Sequence, residues 1–422
     1  MDIVLNLQFN VDSVGIVFSI LSFIVFISAG VFSVEYMKHE GHHKRYWIFY
    51  IMSFFVFQAL CFADNLVTYY LFFEMLTLST FPFVLHNGSK EATMAGLKYL
   101  FYSLCGAYMA LFGLFFSASQ VSFKLGGNMS ERLAEVANAG DKGTIYLLCV
   151  TLMLFGFGVK AGMFPMHAWL PSAHPVAPAP ASAVLSAIVV KAGVLGIIRT
   201  VFYVYGAEFV KGSYVQILWM IITLTTVFMG SMLAFREDGL KKRLAYSTVS
   251  QVSYILFGLS TFTDDGFSGA MLQTVAHGVV KCGLFLCAGA IIYKTGKTKV
   301  SELRGIGKQM PVTMICFTVL SLSLIGIPPT GGFVAKWFLA IGSLESGVGY
   351  INWIGPAILL VSALLTAGYL LPISMNGFFP GDDFDAEKVE KLEPNWLMNG
   401  PIIILTIIAV VIGLFPNIIS SL

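Results

Sequence analysis

Twelve apolar runs, most of about 20 residues, follow one another along this chain. They fall near residues 13–35, 47–64, 66–86, 93–118, 144–170, 181–203, 215–235, 244–262, 268–293, 311–344, 352–373 and 398–420. An α-helix satisfies its own backbone hydrogen bonds and crosses the hydrocarbon core in about 20 residues. The pattern therefore predicts an all-α polytopic membrane protein of about 12 transmembrane helices, with no polar domain of any size. Only 11% of the 422 residues are charged, against about 25% in a soluble domain. The lipid membrane is thus the first expected partner. The small net charge of +2 calls for no nucleic acid.

Charge placement predicts the orientation. If the N-terminus faces outward, the inner loops hold Lys38, Lys44, Arg45, Lys90, Arg236, Lys241, Lys242, Arg243, Lys294, Lys297, Lys299, Arg304, Lys308, Lys388 and Lys391. The outer side holds Lys124, Arg132, Lys142, Arg199 and Lys211. The excess of inner basic residues puts both termini outside. The other five basic residues, Lys98, Lys160, Lys191, Lys281 and Lys336, lie inside apolar runs, with Glu74 as the one deep carboxylate.

An ammonium group at the bilayer centre costs about 2.5–3.5 kcal/mol on insertion scales. Repeating that cost makes sense where the groups line a hydrated interior, so the buried bases read as an ion path. Lysine suits such a path because burial tunes its protonation, whereas arginine stays charged. No arginine is expected deep in a span. Lys98 lies five residues from the inner end of its run and is expected to snorkel to the interface, outside the path.

Two runs carry helix breakers beside a lysine. One reads Gly158-Val159-Lys160-Ala161-Gly162-Met163-Phe164-Pro165, and the other runs from Ile327 through Pro328 and Pro329 to Lys336. Proline removes a backbone donor, and the freed carbonyls need water or side chains in a protein-lined cavity. Each break falls in the fourth of five helices, over 47–203 and 215–373 respectively, and five crossings reverse the topology. Two inverted five-helix repeats, each with a broken helix, are expected. The organisation is then 1–46 as an N-terminal helix and inner loop, 47–204 and 215–373 as two half-channels, and 374–422 as an inner loop and C-terminal helix. Simple proline kinks are the bland alternative.

The six cysteines lie in apolar runs without a Cys-x-x-Cys pair and read as packing residues. No metal site is expected, and no cofactor. There is no Gly-x-Gly-x-x-Gly after a strand and no cysteine cluster for an iron–sulfur centre.

Further stretches complete a pattern: Asp64-Asn65-Leu66 with Phe73-Glu74, Lys160 through His174 with its Trp169-Leu170-Pro171, Asp238 through Thr248, His277-Gly278-Val279-Val280-Lys281, and Pro328 through Lys336. Over nearly its whole length the chain resembles the proton-conducting antiporter-like subunits of respiratory complex I, membrane-bound hydrogenases and Mrp-type sodium/proton antiporters. The resemblance implies that Glu74 pairs with Lys160, that Lys191 bridges the two repeats, and that His277, Lys281 and Lys336 continue the path outward. His167 and His174, near the inner end of the broken helix, are candidates for the proton entrance; capping or loop contacts explain them equally well. Family members commonly have fourteen helices, so two fewer are expected here. At Gln273, one turn before His277, some members carry another histidine.

The function implied is proton translocation by a non-catalytic membrane subunit of a redox-driven complex, in the cell membrane of a prokaryote. Implied partners are further antiporter-like subunits and redox subunits with iron–sulfur clusters. The second reading is a subunit of an Mrp-type sodium/proton antiporter without a redox partner, and the third a non-conducting membrane scaffold. The stretch after Glu74, Leu76 through Pro82, leans towards the antiporter and hydrogenase branches.

Overall fold

The computed structural model describes residues 7–117, 143–381 and 390–417. Lys124, Arg132, Lys142 and Lys388, used above for orientation, lie outside the described residues. Apart from two isolated bridges, Phe9–Ala63 and Gly239–Lys299, the described chain is helix and connection. In chain order the helices are α1 (Ser13–Tyr36), α2 (His43–Cys61), α3 (Leu66–Val84), α4 (Lys90–Ser117), α5 (Gly143–Ala161), α6 (Leu170–Val176) and α7 (Ala179–Tyr205). There follow α8 (Tyr214–Arg236), α9 (Leu240–Ser260), α10 (Asp264–Thr295), α11 (Pro311–Ile325), α12 (Gly331–Glu345), α13 (Ile351–Phe378) and α14 (Trp396–Leu414).

Nine of these helices are long and apolar enough to cross a membrane among the described residues. The remaining expected crossings are α2, α9 and the split pair α11–α12, which are too polar or too short when taken one by one. Helix starts are set by side chains that accept from otherwise unpaired backbone N–H groups. Asp12 accepts from Gly15 at the start of α1, Asn65 from Thr68 at α3, and Thr263 from Gly266 at α10.

The two expected breaks are present. α5 ends at Ala161, and Gly162 takes a positive φ of 79° before the turn that contains Pro165. α11 ends at Ile325, and Gly326, at φ 91°, leads into Pro328 and Pro329. Both conformations need glycine, since a Cβ is strained there.

Burial identifies the central helices. The apolar window of α7 is 100% buried and that of α10 is 94% buried, whereas α13 is only 33% buried. Large apolar side chains such as Phe23, Phe101, Phe112, Leu364 and Ile404 point outward, as a lipid solvent permits. The two innermost helices are the ones that carry Lys191, His277 and Lys281.

Arg199 corrects an expectation. Counted above as an outer-side charge, it is buried within α7, 2% exposed, in a bidentate pair with Asp12 at 2.6 Å for each contact. Its guanidinium also donates to the Cys61 carbonyl at 3.0 Å. Lys241 likewise is no loop residue. It is the second residue of α9 and is buried.

Candidate proton path

Lys160 occupies the last turn of α5, just before the break, and is 1% exposed. Its ammonium donates to Thr77 Oγ1 at 2.6 Å and to the Tyr99 hydroxyl at 3.0 Å. The rings of Phe73 and Tyr99 lie 5.5 and 5.0 Å away, close enough for cation–π attraction. Tyr99 and Thr80 are joined at 2.7 Å, which extends the hydroxyl chain.

The expected contact between Glu74 and Lys160 is not made. The three ion pairs among the described residues are Lys38–Glu35, Arg199–Asp12 and Lys242–Glu237. Helical geometry gives the reason: Phe73 and Thr77 share one face of α3, and Glu74 is turned about 100° away from Phe73. Glu74 is half-buried, among the exposed Leu71, Met75 and Leu78, and accepts from the Tyr70 hydroxyl at 3.1 Å.

Lys191 lies on α7 and reaches α10. The turn before it, Leu185–Val189, is π-helical, and Nζ reaches back to the Ser186 carbonyl at 3.3 Å. Its other partner is His277 Nδ1 on α10, at 2.6 Å. If Lys191 donates as an ammonium, the Nδ1 lone pair must accept, and the imidazole proton then sits on Nε2. Nε2 is buried and has no protein partner.

Lys281, one turn beyond His277, donates to the Leu244 carbonyl at 3.0 Å and to the Ser247 hydroxyl. In the other direction, Gln273 donates to Gln251 Oε1 at 2.8 Å. One turn beyond Gln251, the Tyr254 ring lies 5.2 Å from the Lys336 ammonium. Lys336 itself donates to the carbonyls of Leu324 and Ile325, each at 2.7 Å. It therefore caps the first half of its broken helix, where a cation meets the negative end of the dipole. Pro328 and Pro329 are exposed beside it, as Pro165 is at the first break.

The two candidate entrance histidines differ. His167 is half-buried, its ring 6.0 Å from Phe164 near the first break. His174 is fully buried and stacked 4.8 Å from Phe285, so it does not itself open on the surface. Lys98 does not simply snorkel. It donates to Ser172 on α6 at 3.0 Å. Tyr99 and Gln251 escaped the sequence reading, and Thr77 and Ser247 stood in its motifs without a role, because hydroxyls and amides are common on helices and only packing selects these few.

Two helices broken beside buried lysines, within a bundle of apolar helices, define the class as a polytopic membrane protein. The particular family follows from sequence. The pattern described as "NADH:quinone oxidoreductase/Mrp antiporter, TM" matches residues 63–378, and the chain belongs to that family. It is 33% identical over 374 residues to NADH-quinone oxidoreductase subunit N of Desulforudis audaxviator, covering 86% of this chain and 72% of that protein. It is 26% identical over 421 residues to F(420)H(2) dehydrogenase subunit N of Methanosarcina mazei, covering 97% and 82%. In fold it resembles a chain of the archaeal membrane-bound sulfane sulfur reductase, with TM-score 0.87, 22% identity and coverage of 100% and 83%. The chain is thus an antiporter-like membrane subunit.

Proposed function

We propose that this chain carries protons across a prokaryotic cell membrane as one subunit of a redox-driven complex. The path runs through Glu74, Lys160, Lys191, His277, Lys281 and Lys336. The observation that carries this reading is the Lys191–His277 contact of 2.6 Å, which joins a base of the first half to a base of the second inside the two most buried helices. Residues 47–204 and 215–373 act as the two half-channels, with the basic loops on the inner side.

Burial narrows the free-energy gap between ammonium and neutral amine, so each lysine can accept a proton and pass it on. Thr77, Tyr99 and Ser247 both donate and accept, and they hold the ammonium groups while a proton is resident. Glu74, near the rim of the chain and held by the Tyr70 hydroxyl, stands at the start of the path without a direct bond to Lys160. The driving chemistry belongs to partner subunits. The two relatives named above are called NADH-quinone oxidoreductase and F(420)H(2) dehydrogenase subunits, which supports a redox partner.

Isolation of the complex from native membranes in mild detergent tests the assignment. Co-purifying subunits that contain iron–sulfur clusters are the expected result. Recovery of only small, metal-free membrane partners would instead make the chain part of a sodium/proton antiporter.

A further inference from the structure

A cavity of 590 Å³ opens where the ends of α1, α6 and α10 meet the start of α9. Its lining includes Glu40, Glu237 and Asp238 together with Lys241, Lys242 and Lys299, and Glu237 is paired with Lys242 at 2.7 Å. The mouth is held in shape by Asp238, which accepts from the Ser301 backbone and hydroxyl at 3.0 and 2.8 Å. This is the face that carries the basic loops. None of the six residues of the path described above lines this cavity.

We propose that this cavity is the proton entrance and that Lys241 passes protons from it to Lys281, with His174 beside the transfer route. The inference rests on the conduction reading above and names the place where conduction begins. Lys241 is 9% exposed, and its ammonium is held by the carbonyls of Pro175 at 3.1 Å and Ala177 at 2.5 Å. It therefore stands between the cavity and the protein interior. Three residues further along α9, about 4.5 Å of helix rise, the Leu244 carbonyl accepts from Lys281.

His174 immediately precedes Pro175 and stacks on Phe285, one turn beyond Lys281 on the same face of α10. Both its ring nitrogens are buried without a protein partner. A buried imidazole with two uncommitted nitrogens, next to two lysines, is suited to relay a proton.

The competing role for Lys241 is a static cap on the carbonyls that end α6. Arginine separates the two roles, because it caps carbonyls but does not release its proton. In vesicles holding the intact complex, Lys241→Arg is expected to lower proton translocation by at least about tenfold. The subunit should remain at its normal level.

The Lys241→Cys variant should react with 2-aminoethyl methanethiosulfonate from the basic-loop face. The attached ammonium should restore translocation, and a neutral methyl reagent should not. If Lys241→Arg is poorly assembled, this rescue decides. Translocation at the unsubstituted rate in Lys241→Arg, or a labelled Lys241→Cys variant that stays inactive, overturns the proposal. A Lys160→Ala control separates the two levels of the argument. If that variant is inactive while Lys241→Arg works, the entrance is misplaced; if both work, the conduction reading itself fails.

Discussion

Replacing Lys191 with methionine is expected to reduce proton translocation about a hundredfold, while the subunit stays assembled. Methionine keeps the length and flexibility of the side chain but removes the exchangeable proton. The contact at 2.6 Å to His277 is lost, and Nδ1 of that histidine then joins Nε2 as a buried atom without a protein partner. An orphaned buried acceptor costs about 1–3 kcal/mol. A barrier raised by about 2.7 kcal/mol corresponds to a hundredfold in rate. Proton uptake into vesicles, normalised to the amount of subunit, measures the effect. Redox turnover without proton movement is the accompanying signature. A variant that pumps normally would remove the link between the two halves of the path.

The second large effect is on stability. Arg199→Ala is expected to cost about 3 kcal/mol, the lower end of the range for breaking a buried ion pair. The lower end applies because Asp12 is 24% exposed although Arg199 is 2% exposed. The arginine ties three elements together: Asp12 at the start of α1, the Cys61 carbonyl at the end of α2, and the π-helical end of α7. Its ring contact with Tyr203, at 4.8 Å, adds to the clamp. Arg199→Lys should recover only part of the loss, since an ammonium cannot reproduce the bidentate fork. Denaturant titration of the purified subunit complex measures both variants. An unchanged midpoint in Arg199→Ala would mean the clamp contributes nothing.

The helices were legible in the sequence because a membrane imposes one length and one secondary structure on every crossing. The breaks at Gly162–Pro165 and Gly326–Pro329 were legible for a similar reason, as glycine and proline act on the backbone locally. Lys191 and His277 could be assigned to one path, but their bond depends on how α7 meets α10. Glu74 shows the limit most clearly. Its depth along α3 was readable, but its azimuth was not, and about 100° of rotation places Thr77 rather than Glu74 on Lys160. Lys241 reads as a loop residue because the apolar run 244–262 begins after it, and Arg199, inside the run 181–203, reads as an outer-side charge because it lies near the end of that run. In the structure α9 begins early enough to include Lys241, and each charge is satisfied by a partner from another segment.

The account stands on the buried lysines being conductors rather than packing residues. The most direct measurement is proton translocation by the intact complex carrying Lys160→Ala or Lys336→Ala, with assembly verified in the same membranes. Each lysine lies at one broken helix, so loss in both variants is the predicted result, at least about tenfold in each. A membrane scaffold needs neither ammonium, and normal proton pumping by both assembled variants would contradict the account.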